Sequence, residues 1–186
     1  MACDLTAGRL EPCKSNVGGI DKIYFVNFGD FGDVTLASDD NEITDVTGSF
    51  DAYEYEVKST ATTFEQTINS SRDNGTTFFT QTINITLKNL TKEMHKELKL
   101  MAYGRPHVVI SDRNGNNFVA GLNRGCEVTG GTIVTGGAMG DLSGYTVTLT
   151  AEEELPAPFL KSVSATDANY PFDGFSTGVG TIVAGV

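Results

Sequence analysis

The chain has 186 residues with 24 acidic and 13 basic side chains, two histidines and no tryptophan, giving a formal net charge of −11. That length suits one domain, with or without arms, and is enough to bury a proper core. The acidic surplus argues against tight nucleic-acid binding, because phosphates would meet like charge. No apolar run approaches the ~18 residues of a transmembrane helix. Abundant glycine and threonine favour turns and strands over helices.

Met1-Ala2-Cys3-Asp4-Leu5 shows no basic region followed by an apolar run, so no secretory signal is expected. Cys3, Cys13 and Cys126 have no Cys or His near them at metal-ligand spacing and read as reduced thiols of a protein made in a cytoplasm.

Residues 1–20 have no period and carry Gly8, Pro12, Gly18 and Gly19, which predicts an extended N-terminal arm. Ile23-Tyr24-Phe25-Val26-Asn27-Phe28 reads as a buried strand ending at Gly29, and 43–46 as a short one broken at Gly48. Residues 30–41 read as an acidic loop. Tyr53, Tyr55 and Val57 then alternate with Glu54, Glu56 and Lys58, the mark of a half-buried strand. After Ser59 the apolar phase flips to Phe64 and Ile68, as at a bulge or where a strand leaves the core for another surface. Turn residues cluster from Asn69 to Gly75. The return run places Thr77, Phe79, Gln81, Ile83, Ile85 and Leu87 on one face, with Phe78, Thr80, Thr82, Asn84, Thr86 and Lys88 on the other.

Residues 53–88 are therefore expected to form one long hairpin. Its return strand of about 13 residues would span about 43 Å, whereas a domain of this size is about 35 to 40 Å across. Its outer half should project and needs a partner, since an isolated hairpin is marginal and its edges invite pairing. Phe64, Ile68, Arg72, Asn74 and Phe78 are the candidate inter-subunit contacts.

One helix is predicted from Thr91 as N-cap to Tyr103, with Leu90, Met94, Leu98 and Met101 on one stripe and Gly104 and Pro106 ending it. Residues 108–110 and 118–120 flank a turn at 112–117. Two more strands, 127–134 and 144–150, are joined by a glycine-rich turn, with Tyr145, Val147 and Leu149 inward. Residues 21–160 would form a β core, and the Gly/Ala-rich stretch 161–186 a C-terminal arm or tail.

Motifs for chemistry are weak. Asp112-x-Asn114-x-Asn116 starts like a calcium loop, but Asn117 and Asn123 stand where that loop needs Gly and a bidentate Glu. The glycine pairs lack the context of a phosphate loop, and His95 and His107 have no polar partners at triad or metal spacing. No catalytic residue, metal or cofactor is expected. Charge, by contrast, is segregated. Residues 21–56 hold ten acidic side chains against Lys22, residues 57–126 nine basic against five acidic, and residues 127–186 seven acidic against Lys161. Such segregation suits head-to-tail assembly.

The order of a long hairpin ending Thr77-Phe78-Phe79-Thr80-Gln81-Thr82-Ile83-Asn84-Ile85-Thr86-Leu87, a single helix, Tyr103-Gly104-Arg105-Pro106-His107 and then a β meander is distinctive. The meander carries Glu127-Val128-Thr129-Gly130-Gly131 and Leu142-Ser143-Gly144-Tyr145-Thr146-Val147-Thr148-Leu149. This pattern resembles the tail tube subunits of long-tailed bacteriophages over roughly residues 50–160. The resemblance implies a mainly β fold, an antiparallel β-sandwich or barrel-like core with one flanking helix and a protruding hairpin. It implies rings of six copies joined by strand edges and stacked into a hollow tube, with the hairpin and terminal arms bridging rings. It also implies other tail proteins as partners, DNA passing without tight binding, no membrane, and assembly in the bacterial cytoplasm into the virion tail. A capsid decoration, head–tail connector or tail terminator subunit is the nearest alternative. From a different class, a carbohydrate-binding β-sandwich would want exposed aromatics for sugar stacking, and the absence of tryptophan argues against it.

Overall fold

Consecutive apolar residues on a strand must be covered on both faces, and Ile23-Tyr24-Phe25-Val26 is such a run. In the computed structural model, which describes residues 7–11, 13–39, 41–58 and 60–185, this run lies at the centre of the molecule. The strands are β1 (Ile20–Val26), β2 (Val34–Leu36), β3 (Glu42–Val46), β4 (Ser49–Glu56), β5 (Thr63–Ser71) and β6 (Thr76–Lys88). After the helix α1 (Lys92–Tyr103) come β7 (His107–Asp112), β8 (Asn117–Ala120), β9 (Glu127–Val134), β10 (Gly144–Glu153), β11 (Phe159–Leu160) and β12 (Val179–Val183). They build an eight-stranded sheet ordered β12-β4-β1-β7-β8-β11-β3-β2 and a four-stranded sheet ordered β5-β6-β10-β9. The fold is mainly β, a sandwich whose larger sheet curls into a half-barrel. Among the described residues, no helix is long and apolar enough to cross a membrane.

Two cores follow. Ile23 and Phe25 point between the sheets, where they meet Ile83 and Ile85 of β6 and Val147 and Leu149 of β10. Tyr24 and Val26 point into the half-barrel, against Phe31, Ile43, Val46, Phe50, Val109 and Phe172. Helix α1 covers the first core from outside. The Thr91 hydroxyl accepts the Met94 amide (3.1 Å) at its N-terminus. Leu98 and Met101 pack on the core, although no helix residue is fully buried. Tyr145, wholly buried, donates its hydroxyl to the Thr91 carbonyl (3.1 Å) and lies 3.1 Å from His95 Nδ1, so His95 is tied to the sheet.

The structure redraws the hairpin. β4 pairs with β1 in the larger sheet, whereas β5 and β6 pair in the smaller, so the hairpin spans 63–88 rather than 53–88. The flip of apolar phase marks the chain changing sheets. Ser59 itself lies outside the described residues; beyond it, Thr62 is buried and its hydroxyl accepts the Thr86 amide (3.3 Å). In β4 the deepest residues are Phe50 and Ala52, while Tyr53 is 38% exposed. Alternation read from Tyr53 onward shows only one of the two faces that β4 buries. The acidic loop after β1 also contains β2, which pairs antiparallel with β3.

Residues 161–185 are not a loose tail. Phe172 is 3% exposed and meets Tyr24 and Phe50 edge-on at centroid distances of 5.6 and 5.1 Å. β12 then adds parallel to β4, with Gly180 against the Phe50 ring and the Phe172 Cβ, where an added Cβ would lie 2.8 Å from Phe50. The half-buried Asp45 carboxylate clamps this return. It accepts the Ser176 hydroxyl (2.6 Å) and amide (3.1 Å) and the Thr177 amide (3.1 Å), which hold its pKa well below the usual carboxylate range. Asp45→Ala is expected to speed amide exchange across Thr177–Val183 while leaving the β6–β10 ladder protected; uniform exchange changes would refute the clamp.

His107 is buried between the rings of Phe28 and Phe31, at centroid distances of 5.0 and 4.8 Å. Its Nδ1 lies 2.8 Å from the Gly121 carbonyl and its Nε2 accepts the Gly29 amide (3.1 Å), which fixes the neutral Nδ1–H tautomer. Burial pushes its pKa below 6.5, outweighing the Gly121 carbonyl and the charges of Glu153 and Asp30, which pull upward. The unfolded chain therefore takes up this proton more readily than the folded one. The stability His107 contributes is full above pH 6.5 and is lost as pH falls below it. Denaturant titrations at pH 7.5 and 5.5 should show that loss, and His107→Gln should diminish the difference.

Candidate functional site

The four-stranded sheet is where the molecule is unfinished. β6 pairs with β5 from Thr76 to Asn84 and with β10 from Phe79 to Lys88, and β10 pairs with β9. Among the described residues, both outer strands leave a backbone edge without a partner strand. One edge is β5, nine residues long; the other is β9, eight residues long. Natural sheets avoid long free edges because unpaired amides and carbonyls recruit other chains.

Pleating gives the sheet two unlike faces. Phe64, Gln81, Ile83, Ile85, Val147 and Leu149 face the larger sheet. The other face is an array of hydroxyls and amides. Asn84 donates to Thr63 Oγ1 (3.3 Å) and accepts from Thr148 Oγ1 (2.9 Å), a row across three strands. Thr132 and Thr146 hydroxyls lie 2.7 Å apart, Thr129 and Thr150 hydroxyls 3.0 Å, and Asn69 donates to Thr80 (2.8 Å). These groups bond sideways to one another, so the face is polar without being highly charged. Its ionic groups are Glu65, Glu127, Glu152 and Lys88, an acidic excess.

The candidate contacts part company here. Arg72 and Asn74 are exposed in the hairpin turn, which closes with Gly75 at φ 64°, a conformation that favours glycine. Ile68 is 67% exposed on the inner face, and Phe78 36% exposed on the hydroxyl face. Phe64 is half-buried: it turns inward, 6.0 Å from Phe118, and packs on the core. It lines an open cleft of about 410 Å³ with Ile20, Gln66, Ile110 and Phe118, where β5 parts from the β7–β8 end.

The projection is shorter than the strand length suggests. β10 runs beside β6 as far as Phe79, so only the Asn69–Phe78, Ser70–Thr77 and Ser71–Thr76 pairs and the turn overhang. That is about 10 Å.

Sequence reasoning missed the β9 side. Ile133 is 55% exposed, Val134 36%, and Met139 stands fully out on the glycine-rich turn, whose backbone is held by the Asp141 carboxylate (2.9 Å from the Gly137 amide and 2.7 Å from that of Ala138). The one signal in the sequence is an Ile-Val pair that interrupts polar alternation; that it lies at an edge is decided by the fold. Comparison with protein-family models, with curated proteins and with solved structures finds no match.

Proposed function

We propose that this chain is a non-catalytic structural subunit that joins its open four-stranded sheet to those of other copies in a ring, and that stacked rings form the tail tube of a long-tailed bacteriophage. The observation that carries the reading is the sheet itself, which has two free edges, one face in the core and one face of interlocked hydroxyls.

The geometry suits closure by rotation. All neighbours in this sheet are antiparallel, and the strand number is even. When a second copy is placed beside the first by rotation about a ring axis, its β9 therefore meets β5 antiparallel, and the pattern continues without a break. Such a heterologous contact closes and leaves no edge to aggregate. The core-bearing face must look outward, where the larger sheet lies, so the hydroxyl face lines the hole. Six copies would give a barrel with a backbone diameter of about 48 Å, for strands spaced about 4.8 Å and tilted about 40°. A lining of threonine and asparagine in which Glu65, Glu127 and Glu152 outnumber Lys88 gives phosphates little to hold, so DNA slides rather than binds. The virion tail as location, assembly in the host cytoplasm and other tail proteins as partners belong to the same proposal.

Negative-stain microscopy of the purified protein at high concentration is the deciding experiment. Hollow six-fold rings and tubes are expected. Rings that never stack would point to a connector or terminator subunit, and a monodisperse monomer would overturn the reading.

A further inference from the structure

The loop 121–125 carries the chain from β8 in one sheet to β9 in the other, and buried polar side chains from three strands hold it. His107 of β7 lies 2.8 Å from the Gly121 carbonyl, Gln81 of β6 accepts the Gly121 amide (2.9 Å), and Glu153 of β10 accepts the amides of Asn123 (3.0 Å) and Arg124 (2.8 Å) through Oε1. Glu153 is 3% exposed, and its second oxygen, Oε2, is buried with no hydrogen-bond partner among the described residues. The Arg124 guanidinium does not answer it, turning instead to Glu154 at 3.7 Å. Buried polar atoms are nearly always satisfied, so an orphaned carboxylate oxygen asks for a donor from outside the chain.

Space for that donor lies beside it. A cavity of about 20 Å³ is lined by Glu153, Gln81, Asn123 and the apolar side chains of Leu122, Leu155 and Pro156, among others. A single water needs ~10–15 Å³ and two to four polar partners. The cavity holds one such molecule and not two. A divalent ion would want six or more oxygens, which walls of leucine and proline do not supply. Among the described residues, no group of three His, Cys, Asp or Glu side chains is placed to hold a metal ion.

We infer that this cavity is a binding site for one ordered water molecule, which donates to Glu153 Oε2 and accepts from the amide of Gln81 or Asn123. The water completes the clamp on the 121–125 crossover and so belongs to the join between the two sheets. It is independent of ring formation.

A high-resolution crystal structure of the full chain grown with rubidium chloride tests the site. The expected result is a water peak within about 3 Å of Oε2 and no anomalous rubidium signal. A vacant cavity, a protein donor on Oε2 or a rubidium peak there would each overturn the inference. Glu153→Gln should keep the peak and Glu153→Met should lose it. Should the Met variant fail to fold, the wild-type and Gln structures still decide.

Discussion

Replacing Phe172 by alanine is expected to lower the unfolding free energy by about 3–5 kcal/mol, a loss typical of a large aromatic removed from a closed core. The ring sits in the half-barrel against Tyr24 and Phe50, with Phe175 at a centroid distance of 6.4 Å. Backbone from β12 closes over it through Gly180, so the neighbours cannot easily collapse into the space. The effect should reach beyond the cavity, because Phe172 secures the segment that supplies β12 to the edge of the larger sheet. Equilibrium denaturation gives the number, and hydrogen exchange of Val179–Val183 should show that strand opening first. A loss under about 1 kcal/mol would mean that residues 161–185 are a dispensable tail, as their composition alone suggests.

Aspartate at Ile68 or at Ile133 should abolish assembly and leave the fold intact. Both residues are more than half exposed in the single chain, so either change should cost the monomer no more than about 1 kcal/mol. In a closed ring each lies at a β5–β9 junction, and burying an unpaired carboxylate there costs on the order of 3 kcal/mol. That is a factor of roughly 150 in each contact, repeated at every junction of the ring. Sedimentation and negative-stain images of the variants should show folded monomers where the wild type gives rings. If both variants still form rings, the edges of the four-stranded sheet are not the interface. Ile68→Thr is the informative control. It preserves strand propensity without adding charge and should weaken assembly far less.

Several elements were legible because their periods are local. β6 was read at its true length with the correct inner face, since Gln81, Ile83, Ile85 and Leu87 alternate strictly with polar residues. Helix α1 was read to its caps, because Thr91 and Gly104 bound a single apolar stripe. The two strands after residue 126 and the inward direction of Tyr145, Val147 and Leu149 follow from the same reasoning. The hydroxyl face was also implicit, because the threonines opposite those apolar positions had to share one side of the sheet.

Alternation states which side chains share a face, but not which sheet the strand joins. For that reason β4 and β6 were read as one hairpin, when the chain between them crosses from one sheet to the other. The return segment fared worse. Phe172, Phe175 and the residues of β12 are separated by glycines and turns, and they are held by contacts with Asp45, Tyr24 and Phe50, more than a hundred residues earlier in the chain. No local pattern encodes such partners. The composition and periods of this chain by themselves determined a mainly β protein with one helix and a polar strand face. Only the tertiary structure decided that this face belongs to an open four-stranded sheet, that Phe64 turns inward while Ile133 lies at its rim, and that the last 25 described residues bring Phe172 into the core. The reason is physical: periodicity comes from bonds between near neighbours, whereas edges and lids are made by parts of the chain that meet only on folding.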